Sequence, residues 1–136
     1  MSFLIDTCVL SEGPKPRINS RVVRWLDATS DLLRYVSVLS LAELQYGILR
    51  MTDGRRKLHY ATWYDTILRP LFGTRVLPFD ESAALIWAQL RAIDPNAKTV
   101  DSQLAATALR HDLTLVTRNV KDFAFAGLRV INPWQE

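Results

Sequence analysis

Short apolar runs of strand length alternate along this chain with helical stretches of about ten to fifteen residues, a pattern that demands a parallel sheet covered on both faces. The strand-like runs are residues 3–6, 35–38, 75–77, 113–117 and 128–131. Helical periodicity predicts helices over about 19–28, 40–51, 54–71, 80–93 and 99–111, with Pro70 and Gly73 interrupting the third. Asp94-Pro95-Asn96 reads as a turn. No repeat, low-complexity tract or linker divides the chain. The expected architecture is α/β, a three-layer α/β/α arrangement around a central parallel sheet, built as one domain over residues 1–136.

The polar residues that close these runs carry the chemistry. Asp6 ends Phe3-Leu4-Ile5, Glu43 and Asp101 fall in the first turns of two expected helices, and Asn119 and Asp122 follow Leu115-Val116-Thr117. Ligands of open α/β sheets collect at the carboxyl ends of the strands, so residues far apart in sequence report to one edge. Each also has a structural explanation. Asp6 can cap the helix that begins near Cys8. Ser40-Leu41-Ala42-Glu43 matches a capping box, in which Glu43 would reach back to the Ser40 amide. Asp101 sits where a helix dipole favours an acid, two residues after a possible Thr99 cap. Asn119 and Asp122 can form a local turn or cap. Gly47 and the Ala105-Ala106 pair add small-residue faces one turn beyond Glu43 and Asp101. Four such coincidences at strand ends favour a shared site.

Clustered carboxylates remain ionised together only beside a cation, and oxygen donors suit Mg²⁺ or Mn²⁺. With two His and one Cys, the chain offers little for zinc. Five Gly residues form no phosphate loop, and no nucleophile elbow is present. Cys8 has no partner for an internal disulfide, which predicts a reducing cytoplasmic setting. No apolar run is long enough for a membrane span, and no basic leader precedes an apolar core at the N-terminus. Seventeen basic residues, mostly Arg, against fourteen acids give +3, which admits an acidic or nucleic-acid partner without establishing one.

Leu4-Ile5-Asp6-Thr7, Ser40-Leu41-Ala42-Glu43-Leu44 with Tyr46-Gly47, Asp101 with Leu104-Ala105-Ala106-Thr107-Ala108, and Leu115-Val116-Thr117-Arg118-Asn119 together resemble the PIN-domain ribonucleases, most closely the VapC or FitB branch of type II toxins. The resemblance extends through Leu10-Ser11-Glu12 and Asn132-Pro133-Trp134. It implies Mg²⁺- or Mn²⁺-dependent RNA cleavage, a cognate antitoxin, operator DNA reached through that antitoxin, and a homodimer. By motif, Asp6, Glu43 and Asp101 are the implied metal ligands, supported by the hydroxyls of Thr7 and Ser40. Asn119 completes the catalytic set by holding a water, with Asp122 as the competing candidate and Arg118 available to phosphate. Members of that family usually carry Asn where this chain has Cys8, and many carry an acid where it has Asn119. These departures favour the alternative, a non-catalytic scaffold of a DNA-bound antitoxin complex, while the three acids favour the enzyme. Cys8 is expected to be a small packed residue under the sheet edge. The large apolar residues from Leu44 to Tyr64, with Tyr46, Met51 and Trp63 as anchors, are expected to form a groove for a partner's helix. Arg55-Arg56-Lys57 reads as a solvated helix start, or a weak phosphate contact.

Overall fold

The computed structural model describes residues 1–136. In chain order the elements are β1 (Phe3–Ile5), α1 (Thr7–Leu10), α2 (Ser20–Ala28), β2 (Arg34–Ser37), α3 (Val38–Leu49), α4 (Gly54–Trp63), α5 (Arg69–Phe72), β3 (Val76–Leu77), α6 (Glu81–Ile93), α7 (Thr99–Arg110), β4 (Thr114–Val116) and β5 (Val130–Ile131). The five strands form one sheet in the order β3-β2-β1-β4-β5, and every pairing is parallel. Helices cover both faces, as the alternating pattern requires.

Strand side chains alternate between the two faces, so β1 feeds two cores. Phe3 and Ile5 join Val9, Leu10, Val22, Val36, Leu44, Trp63, Leu68, Phe72 and Val116 on one side. Leu4 joins Leu104, Ala105, Ala108, Leu113, Leu115 and Phe123 on the other. Burial on both faces explains why β1 and β4 read as continuous apolar runs. Ala105 and Ala106 are wholly buried, so their small size serves close packing of α7 and leaves no open face beneath Asp101.

The direction of strand addition reverses around β1, with β2 on one side and β4 on the other. In a doubly wound sheet, that reversal opens a crevice at the carboxyl ends. Asp6 follows β1 and Thr117 follows β4, where Ile5 pairs with Val116 and the Asp6 amide donates to the Val116 carbonyl at 2.9 Å.

Several boundaries differ from expectation. The strand β2 stops at Ser37, whose hydroxyl accepts from the Leu39 amide at 3.0 Å and caps α3. Val38 therefore begins the helix, and Ser40 lies inside its first turn. The helical run after Gly54 is not broken at Pro70. A π turn over Tyr64–Leu68 widens the ladder just before the residue that lacks an N–H, and the helix continues as α5. It ends at Gly73, where φ is +52° and side chains are disfavoured.

Candidate metal centre

Asp6 is only 6 % exposed, and an ionised carboxylate there requires hydrogen-bond donors. Three are present. The Thr7 amide donates to Oδ1 at 2.7 Å, while the Thr117 hydroxyl at 2.7 Å and the Cys8 thiol at 3.5 Å both donate to Oδ2. The Thr7 bond is the N-cap of α1, so capping and site membership coexist in the same carboxylate.

Thr7 also ties Asp6 to the second acid, because its hydroxyl donates to Glu43 Oε1 at 2.8 Å. The capping box expected at Ser40 does not form. With Ser37 as the cap, Glu43 lies beyond the first turn and points to Thr7 instead of back to the Ser40 amide. Burial of its carboxylate pushes the Glu43 acid upward; the Thr7 bond opposes this and the Asp6 charge adds to it.

Asp101 is the third residue of α7, and no hydrogen bond from the chain lowers its acid. Lys98, rather than Thr99, occupies the cap position, without a side-chain bond. Burial raises the Asp101 acid from 3.8 to about 6, and the charges of Asp6, Asp122 and Glu43 push the same way while Lys98 opposes them. Asp6, Glu43 and Asp101 thus share one electrostatic neighbourhood. No three acidic, His or Cys side chains stand close enough together to form a finished coordination shell.

The donor set nevertheless suits a hard cation: carboxylates and hydroxyls, charge in mutual repulsion, and little soft donor chemistry. Ser40 adds an observation of its own. Its Oγ is buried and bonded to nothing, one turn before Glu43 on the same helix. A buried hydroxyl without a partner is uncommon and marks a place for a further polar group.

The remaining candidates separate clearly. Asn119 follows Thr117 by two residues, and its backbone N–H donates to Thr117 Oγ1 at 3.0 Å. Asp122 faces outward to Lys98 at 3.1 Å, although its charge reaches Asp101. Arg118 stacks on Trp134, 5.2 Å from the ring centroid, and its charge helps hold Glu12 ionised. Cys8 is half-buried and packs against the first core, as expected of a small residue under the sheet edge, and its thiol also makes polar contacts. It donates to Asp6 and accepts from the Arg118 amide at 3.4 Å, so one thiol supplies both halves of an amide's pairing. Burial, then the Asp6 charge, pushes the thiol up, keeping it protonated as a donor.

Two polar residues named in the motifs were given no role by the sequence. Thr117 is fully buried and is the hub linking Asp6 to Asn119; its position after the β4 apolar run was the available signal. Glu12, 5 % exposed, pairs with Lys15 and accepts from the Asn19 amide at 3.2 Å, anchoring the loop before α2. Of the expected anchors, Trp63 is 7 % exposed and belongs to the core, while Tyr46 is 57 % exposed and Met51 intermediate. The Trp63 indole abuts Gly13 so tightly that a Cβ there would lie 2.9 Å from Nε1.

Parallel sheet, switch point and gathered acids define an acid-centred α/β domain suited to a divalent cation and phosphate chemistry. Sequence comparison names the family. The PIN domain model matches residues 3–126, and the chain belongs to the PIN-domain family. It is 39 % identical over 141 residues to toxin FitB of Neisseria gonorrhoeae, covering 98 % of this chain and 99 % of that protein. It is 35 % identical over 140 residues to VapC ribonuclease Y4jK of Sinorhizobium fredii, covering 98 % of each. A solved structure of FitAB bound to an IR36 DNA fragment superposes with a TM-score of 0.89 at 36 % identity, covering 97 % of this chain and 95 % of that one.

Proposed function

We propose that this PIN-domain chain is the ribonuclease toxin of a toxin–antitoxin pair, hydrolysing RNA phosphodiester bonds with Mg²⁺ or Mn²⁺. The observation that carries the reading is the convergence of Asp6, Glu43 and Asp101, from three distant stretches, on the carboxyl side of the switch point. Support for toxin and ribonuclease comes from relatives named as such. Asp6 and Asp101 would hold the cation, with Glu43 as third ligand or as orienter of water. A cation there supplies charge neutralisation at the phosphodiester and lowers the pKa of a bound water.

The chain's own residues do the rest. Thr7, Thr117 and Cys8 fix the rotamer of Asp6, which keeps its carboxylate facing the crevice. Thr7 occupies Glu43 Oε1, leaving Oε2 to orient the attacking water and take its proton. Asn119 holds a water by its side-chain amide, and Arg118 stands beside it for phosphate. Residues 1–136 work as one nuclease domain in the cytoplasm, paired as a homodimer and silenced by an antitoxin that also reaches operator DNA. The alternative of a non-catalytic scaffold rests on the two departures from the family pattern, Cys8 and Asn119.

Cleavage of RNA by the antitoxin-free chain decides between them. Activity with Mg²⁺ or Mn²⁺ that stops on chelation, and that Asp6→Asn removes, supports the enzyme. No cleavage in any metal, with intact binding to an antitoxin–operator complex, supports the scaffold.

A further inference from the structure

Parallel pairing of β4 with β5 sends the segments that follow these strands out of the same sheet edge, side by side. Leu115 pairs with Val130 and Val116 with Ile131, and the Thr117 amide donates to the Ile131 carbonyl at 2.9 Å. Between the two segments lies an open cleft of about 400 Å³, a volume in the range of ligand sites. Arg118, Asn119, Lys121, Asp122, Asn132 and Gln135 line it, and Val120 is the one apolar side chain on its wall. The cleft adjoins the acid centre. The Asn119 N–H donates to Thr117 Oγ1, whose hydroxyl donates to Asp6, so two hydrogen bonds link the wall to the first acid. The charge of Asp122 reaches Asp101.

The chemistry of the lining indicates what it receives. Asp122 is paired with Lys98, whereas none of the four ion pairs of the chain engages Arg118 or Lys121. Both are exposed, so two cations stand ready for an external anion. Trp134 holds the first of them, its ring centroid 5.2 Å from the Arg118 guanidinium. Trp134 is itself tied down, its amide donating to Asn132 Oδ1 at 3.0 Å and its carbonyl accepting from Arg21 Nη1 at 3.3 Å. Asn132 keeps its NH₂ as a donor, and the exposed Gln135 keeps donor and acceptor together. Cations alone would accept any anion. Amides beside them match the donor–acceptor edge of an unpaired base. With Val120 as its only apolar surface, the cleft offers no floor to a protein helix.

We propose that this cleft is the subsite for the nucleotide next to the scissile phosphate of single-stranded RNA. Arg118 and Lys121 hold its phosphates, Val120 supports its ribose, and the amides of Gln135 and Asn132 read its base. The assignment rests on the ribonuclease reading above and adds the place where the enzyme selects sequence. Asn119 marks the border, beyond which only the reacting phosphate enters the carboxylate field. Trp134 is a positioning residue that acts through Arg118.

The test uses the full-length native protein, the cleft variants Lys121→Ala, Arg118→Gln and Gln135→Ala, and Arg55→Ala as a control on α4, each checked for an unchanged melting temperature. Binding of a fluorescent single-stranded RNA is measured in EDTA across a salt series. Lys121→Ala and Arg118→Gln should each weaken binding about fivefold at low salt and flatten the salt slope by about 0.7. Trp134→Leu should reproduce the Arg118→Gln slope, and Trp134→Phe, which keeps a ring beneath the guanidinium, should retain the native one. Gln135→Ala should leave the slope alone and act on sequence instead. Ends produced from a randomised RNA in Mn²⁺ should show a base preference beside the cut in the native protein, reduced about tenfold in Gln135→Ala. Equal losses in Lys121→Ala and Arg55→Ala overturn the subsite. So do unchanged binding and base preference in every cleft variant of a chain that cleaves RNA, and the ribonuclease reading then stands. Unchanged RNA binding with weakened binding of the antitoxin also overturns it and gives the cleft to that partner. A native chain that neither binds nor cleaves RNA defeats both readings.

Discussion

Replacing Asp101 by Asn should stabilise the metal-free protein, and the gain should depend on pH in a particular direction. The acid is raised from 3.8 to about 6, first by burial and then by the charge of Asp6. Between those two values the folded chain binds more protons than the unfolded chain. Stability contributed by this residue therefore falls as pH rises through that window, and the penalty is complete above about 6. The full displacement corresponds to about 3 kcal/mol, and solvent screening of a half-exposed carboxylate reduces it to about 1 kcal/mol. For a domain of 136 residues that is a melting-temperature rise of about 3 to 5 °C. Thermal or urea unfolding in EDTA should show this gain near neutral pH and its disappearance below the unfolded value of 3.8. Adding Mg²⁺ should reverse the order by stabilising the native sequence more than the variant. A variant that is less stable at neutral pH, or whose gain is the same under acid conditions, would refute the shared-field argument.

The other substitutions probe separate parts of the site. Asn119→Ala, which removes the side-chain amide proposed to hold a water, should lower RNA cleavage at least about tenfold, whereas Asp122→Ala, which removes a surface pair with Lys98 and one of the charges that raise Asp101, should lower it far less; a steady-state rate comparison checks the order. Cys8 should alkylate with iodoacetamide more slowly at pH 8 than an unstructured thiol, since burial and Asp6 both oppose the thiolate, and faster labelling would contradict the donor role. Trp63→Ala should destabilise the fold by about 3 to 5 kcal/mol in chemical denaturation, as expected for a core indole rather than a partner-facing anchor.

Much of this was legible because strand ends are legible. The apolar runs before Asp6 and before Thr117 locate β1 and β4, and the alternation of elements places their carboxyl ends on one edge. The three acids follow from that geometry. What escaped depends on single hydrogen bonds. Ser37 and Ser40 are equally good caps by composition, and the choice fell to the residue where β2 ends, which moved Glu43 from a local cap to a long-range contact with Thr7. Thr117 and Cys8 act through contacts across more than a hundred residues, which no local pattern encodes. Helical spacing from Leu44 to Tyr64 shows an excess of apolar faces but not which of them wins the interior. Gly13 decided that for Trp63, by leaving room for the indole against the loop.

The account stands on one cation site shared by three acids, and Mn²⁺ binding followed by electron paramagnetic resonance tests it most directly. The native protein and the single variants Asp6→Asn, Glu43→Gln and Asp101→Asn would be titrated under the same conditions, each first shown to be folded. The prediction is saturable binding by the native chain, weakened at least about tenfold by Asp6→Asn and Asp101→Asn and to a smaller degree by Glu43→Gln. Equal Mn²⁺ affinity in all four proteins, or none in the native chain, would contradict it.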